Sequence, residues 1–142
     1  MGIRPGQSKQ GRLQGAAQSA PRGTGRLKEA RLPVIVLLEG WGAAGKGSAI
    51  RSLIKELDPR FYKVLCVGMP TEEEQRWPFL KRHFASIPEE GKLLFLDSGW
   101  MDETVRLRLR GDLSDAEYAR RLESINTFER QLTAGGYLLV KF

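Results

Sequence analysis

Residues 33–50 read PVIVLLEGWGAAGKGSAI, and the order of features in that stretch decides the fold. PVIVLLE is apolar without alternation and rich in β-branched residues, the pattern of a strand buried on both faces. SAIRSLIKEL, from Ser48, places Ala49, Leu53, Ile54 and Leu57 on one helical face. Between them runs G-x-x-x-x-G-K, Gly40 to Lys46, in the strand–loop–helix context that a phosphate-cradling loop requires. Successive N–H groups and the positive end of a helix favour an anion there. The candidate phosphate-binding residues are Gly40, Gly42, Ala43, Ala44, Gly45, Lys46, Gly47 and Ser48. Lys46 is also a candidate catalytic residue, because its ammonium would neutralise charge on a transferring phosphoryl group.

The rest of the chain alternates strands and helices. KVLCVG, 63–68, and KLLFLD, 92–97, read as further strands, and YLLVKF at the end as a fourth. Asp58-Pro59 stops the first helix. Thr71 with Glu74 forms a capping box, and Pro78 opens a helical piece through Ala85. Residues 101–109 read as a short helix. Ser114 with Glu117 caps a longer one, whose stripe is Ala119, Leu122, Ile125, Phe128 and Leu132 and whose end is Gly135-Gly136. The expected fold is α/β: a three-layer α/β/α, P-loop kinase-like domain with a mostly parallel sheet, incomplete at the C-terminus.

Charge divides the chain in two. It has 142 residues, with 23 basic and 17 acidic side chains and a net charge of +6. Residues 1–28 hold six basic residues and no acid, leaving 17 of each sign in 29–142. The expected division is a disordered basic Gly/Ser-rich extension over 1–28 and a partial P-loop domain over 29–142. The basic pI therefore comes from the extension and gives no ground for a nucleic-acid partner. The extension lacks an apolar segment, so a secretory signal is not expected. No run approaches the ~20 apolar residues of a membrane span. One cysteine, Cys66, lies in an apolar run and reads as a core thiol. These features point to a cytoplasmic protein without membrane contact.

A metal is the harder question. Gly47 stands where a serine or threonine hydroxyl would help hold magnesium, and Ser48 lies about 100° further round the helix. Asp97, at the end of LLFLD, is the candidate metal carboxylate. In open α/β sheets ligands bind at the C-terminal ends of the strands. Asp102 is a second candidate ligand, with an acidic helix start as the other explanation.

LLEGWGAAGKGSAI, LDPR, MPTEEEQRWPFLKRHF, LLFLDSGW and FERQL, taken in order, resemble the family-2 polyphosphate kinases, especially two-domain members that phosphorylate AMP. The resemblance covers residues 33–142, about three quarters of the chain. It implies an α/β/α P-loop fold with a helical lid. It also implies phosphoryl transfer between inorganic polyphosphate and an AMP-, ADP- or ATP-type nucleotide, with Mg2+. By position, Lys46 resembles the family's loop lysine, Asp97 its strand-end aspartate, and Arg82 an arginine facing the polyphosphate path. Glu129 resembles a residue of the helix before the fourth strand. A loop ending G-K-G is usual in this family, so Gly47 is no departure.

Other positions do depart. Gly42 stands where active members carry a loop aspartate. DSGWMDE, 97–103, stands in place of D-R-S-W-Y-N-R, putting Ser98 and Glu103 at arginine positions. Met69 replaces a basic residue before P-T. The chain thus resembles the weakened half of a two-domain member, with a second homologous domain or a homo-oligomer as expected partner. A non-catalytic binding or structural half is the alternative. A nucleoside monophosphate kinase is disfavoured by Gly47 and by the P-T-E-E-E and W-P-F-L stretches.

Among the remaining residues, His83 reads as structural. Trp41 and Trp100 read as core residues, with stacking on a base as the alternative for each. Glu72-Glu73-Glu74 reads as a helix N-terminus, and RLRLR, 106–110, as a solvated surface segment.

Overall fold

The computed structural model describes residues 23–142. Four parallel strands form one sheet: β1 (Val34–Leu38), β2 (Tyr62–Cys66), β3 (Leu93–Asp97) and β4 (Leu138–Lys141). Their order is β2-β3-β1-β4, so the loop-bearing β1 lies between β3 and β4. All five residues of β1 are buried. Ile35 and Leu37 enter one core and Val34, Val36 and Leu38 the other, as a strand covered on both faces requires.

Each face has its own helices. α1 (Gly23–Ala30) and α2 (Lys46–Ile54) precede and follow β1, while α3 (Glu72–Gln75) and α4 (Lys81–Phe84) follow β2. α5 (Trp100–Leu109) and α6 (Asp115–Ala134) lie between β3 and β4. Ile125, Phe128 and Leu132 of α6 join Trp100 of α5 and Leu80 against Ile35, Leu37, Leu94 and Leu96. Ile50 of α2 packs with Val34, Val36, Leu38, Leu93 and Phe95 on the opposite face. The result is the expected three-layer α/β arrangement. Both expected capping boxes form, Thr71 with Glu74 and Ser114 with Glu117.

The structure corrects several expectations. Residues 23–28 were expected to lie in the extension, but they belong to α1, because Leu27 packs against the second core and its carbonyl accepts from Leu32 N–H. Residues 1–22, on which the disorder and targeting expectations fall, lie outside the described residues. On α2 the face toward the sheet carries Ile50, continued by Ile54 and Leu57. Leu53 is 48% exposed and Ala49 is also exposed. Cys66 is an exposed free thiol, since it sits on the edge strand β2. Trp100 is a core residue, but Trp41 is 79% exposed.

Candidate functional site

Register brings the two predicted chemical elements together. Leu38 of β1 pairs with Asp97 of β3, so the strand-end aspartate lies beside the chain as it leaves β1 for the loop. Ser98 N–H donates to Leu38 O at 2.9 Å and ties the two strand exits. A short 3-10 turn, Gly42–Ala44, then leads into Gly45 at φ +81°, and α2 starts at Lys46. That left-handed backbone suits glycine, and the first N–H groups of α2 that follow it have no intrahelical partner. A Cβ at Gly47 would lie 3.7 Å from Asp97 Oδ2, which puts the carboxylate over the first turn of α2.

Lys46 is buried and its ammonium donates back into the loop, to Gly40 O at 2.8 Å and Trp41 O at 3.1 Å. The lysine thus clasps the loop into a ring from which its charge acts. Ser48 is exposed on α2, as are Ala43 and Ala44 in the 3-10 turn. Gly42 offers no side chain, and nothing lies within 4 Å of where its Cβ would stand.

Beside the loop opens a cavity of about 570 Å³. Trp41 and Gly42 form its loop wall, with Met101, Val105 and Leu109 on the α5 wall. Its ionisable lining is Glu39, Asp102 and Arg106. Glu39 accepts from Met101 N–H at 3.2 Å. Burial pushes its carboxyl above the ordinary range, with the charge of Asp102 adding to the effect and the Met101 bond opposing it. The sequence reading passed over Glu39. The signal that picked out Asp97, a carboxylate ending an apolar strand, applies equally to VIVLLE.

Arg82 is placed elsewhere. Its guanidinium lies 3.6 Å from both Glu74 and Glu103. Glu103 is buried, and it also faces His83 at 3.5 Å and Arg121 at 3.4 Å. The residue at the expected arginine position thus gathers Arg82 into an internal cluster joining α4, α5 and α6. His83 is a structural residue of that cluster, edge-on to Trp100 at 5.5 Å between ring centres. Glu129 takes the Trp100 indole N–H at 3.0 Å and the Lys141 ammonium at 2.8 Å.

A hard divalent cation binds oxygen donors, and Mg2+ characteristically uses one or two carboxylates together with substrate phosphates. The described residues contain no group of three or more His, Cys, Asp or Glu able to hold a metal. Asp97 fits the smaller role of a single carboxylate at the phosphate loop. Asp102 is already paired with Arg106.

A parallel sheet whose central strand feeds a glycine loop, a buried lysine and a helix N-terminus, with an aspartate at the adjacent strand tip, places the chain in the P-loop α/β fold class. Within that class the chain belongs to the polyphosphate kinase 2 family, whose model matches residues 9–142. It is 37% identical over 122 residues to a polyphosphate:AMP phosphotransferase of Pseudomonas syringae pv. tomato, covering 84% of this chain and 24% of that protein. It is 32% identical over 116 residues to a GDP-polyphosphate phosphotransferase of Pseudomonas aeruginosa, covering 82% of this chain and 32% of that one. A crystal structure of Polyphosphate Kinase 2 from Arthrobacter aurescens TC1 superposes with a TM-score of 0.79 at 27% identity, over 87% of this chain and 46% of that one. The chain therefore spans about a quarter to a third of the length of these curated relatives.

Proposed function

We propose that this chain is the P-loop portion of a polyphosphate-dependent nucleotide phosphotransferase, with AMP the favoured acceptor and ADP the product. The observation that carries the reading is the convergence of Lys46, the N-terminus of α2 and Asp97 at the tips of β1 and β3. In this reading the loop backbone and Lys46 hold a terminal phosphoryl group of polyphosphate, and their fixed positive charge stabilises the transfer. Asp97 would hold Mg2+, which when bound neutralises phosphate charge and aligns the reacting oxygens. The cavity beside the loop receives the nucleotide, its apolar walls of Trp41, Met101, Val105 and Leu109 lying against the base or ribose. The polyphosphate:AMP naming of the relative from Pseudomonas syringae supports AMP as acceptor. The exposed free thiol of Cys66 accords with a cytoplasmic location.

A second reading, binding without turnover in support of a catalytic partner domain or a further copy, is favoured by Gly42 and by the capture of Arg82 at Glu103. One assay separates them. The chain is incubated with polyphosphate, Mg2+ and AMP, and ADP is quantified. Product that disappears in Lys46→Ala supports transfer, whereas polyphosphate binding without product supports the second reading. Neither binding nor product refutes both.

A further inference from the structure

Phosphate-bearing ligands entering the cavity beside the loop need a cation to meet them, and the structure narrows the choice. Lys46 is folded back onto Gly40 and Trp41 carbonyls. Arg82 faces Glu74 and the buried Glu103 at 3.6 Å and lies outside the lining of this cavity. Among the residues lining the cavity, the one cation is Arg106. Its Nη2 donates to Ser98 Oγ at 3.2 Å and to the Asp102 carboxylate one helical turn back. Ser98 directly follows Asp97 at the tip of β3, with φ +66°. The arginine thus reaches from the middle of α5 to the strand tips where the loop and Asp97 meet. Its side chain remains 45% exposed, and both bonds use a single nitrogen. Guanidinium has five donors in a flat fork, and both of its two-nitrogen edges include Nη2, so a phosphate that takes two donors side by side displaces one of these bonds.

We propose that Arg106 is the residue that grips the phosphate of the nucleotide in this cavity, and that Asp102 holds the arginine in place until that phosphate replaces it. The inference rests on the nucleotide reading above and gives the nucleotide phosphate a cation distinct from Arg82, which the family resemblance sets on the polyphosphate path. A carboxylate and a phosphate compete for the same donors, so Asp102 acts as an internal placeholder. The exchange forms no covalent bond and keeps the arginine paired in both states.

The test is calorimetric titration of the full 142-residue chain with AMP in metal-chelating buffer. Arg106→Gln is expected to weaken AMP binding about tenfold to a hundredfold, the usual range for losing a charge-assisted pair. Arg106→Lys, which keeps charge but loses the fork, is expected to fall between. Arg110→Gln removes an exposed positive charge paired with Asp112 and is expected to leave AMP affinity unchanged. Asp102→Asn is expected to tighten AMP binding several-fold by removing the competitor. That variant keeps the test decisive should Arg106→Gln fold poorly. Affinity unchanged in Arg106→Gln, or weakened in Asp102→Asn, overturns the inference and leaves the nucleotide reading standing. A wild-type chain that does not bind AMP overturns both.

Discussion

Glu39 and Gly99 meet at the point where two strand exits are drawn together. A Cβ at Gly99 would lie 2.4 Å from Leu37 Cδ2 and 2.8 Å from Glu39 Oε1. Gly99→Ala therefore forces apart a buried leucine and the carboxylate that fixes the start of α5. A loss of about 1–3 kcal/mol in denaturant unfolding is expected. The Glu39 carboxyl has its pKa raised mainly by burial. For such an acid the folded state favours the neutral form. Its ionisation costs stability as pH rises from the ordinary carboxylate range through the raised value. Glu39→Gln keeps an oxygen to accept from Met101 N–H and removes that cost. The variant is expected to melt higher than wild type at neutral pH, with the gain vanishing in acid, as thermal melts at both pH values would show. At Gly42 the backbone has no positive φ and a Cβ meets nothing within 4 Å, so Gly42→Asp fits without strain. An added carboxylate there is expected to raise Mg2+-dependent ADP formation by about an order of magnitude. Unchanged turnover would show that the metal site does not limit this chain.

At the scale of elements, the contrast between β1 and α5 separates what the sequence discloses from what it does not. A strand of unbroken apolar residues followed by G-x-x-x-x-G-K allows little but a buried parallel strand with a phosphate loop at its end. Parallel pairing then brings Asp97 alongside, and both are legible from residues alone. Helix phase is less so. On α2 the apolar residues span more than one face, and only packing selects Ile50 over Ala49 and Leu53. Trp41 is large enough to suggest burial, but its loop borders an open cavity and leaves the ring in solvent. The pairing of Arg82 was illegible because its partner Glu103 lies on another helix and is fixed by tertiary packing. That cluster spans α4, α5 and α6. Glu103→Ala leaves Arg82, His83 and Arg121 without their shared carboxylate and is expected to cost about 3–5 kcal/mol in chemical denaturation. A loss below about 1 kcal/mol would show that the cluster contributes little to the packing of these helices.

For the whole molecule, residues 29–142 balance their charges and Arg26 and Lys28 of α1 add only +2 to the described part, so affinity for a polyanion there rests on local arrangement more than on net charge. The local arrangement is the loop ring closed by Lys46, the first turn of α2 and Arg106 across the cavity, with Asp97 between them. Among the described residues no helix is long and apolar enough to cross a membrane. The chain spans about a quarter to a third of the length of the two curated relatives named above. The function proposed here requires that the loop bind phosphate chains through Lys46. The most direct measurement is calorimetric titration of the chain with tripolyphosphate, for wild type and Lys46→Ala, with circular dichroism confirming that both fold. Saturable binding is expected for wild type, weakened at least about tenfold in Lys46→Ala. Equal affinity in the two, or no binding by the folded wild type, would contradict it.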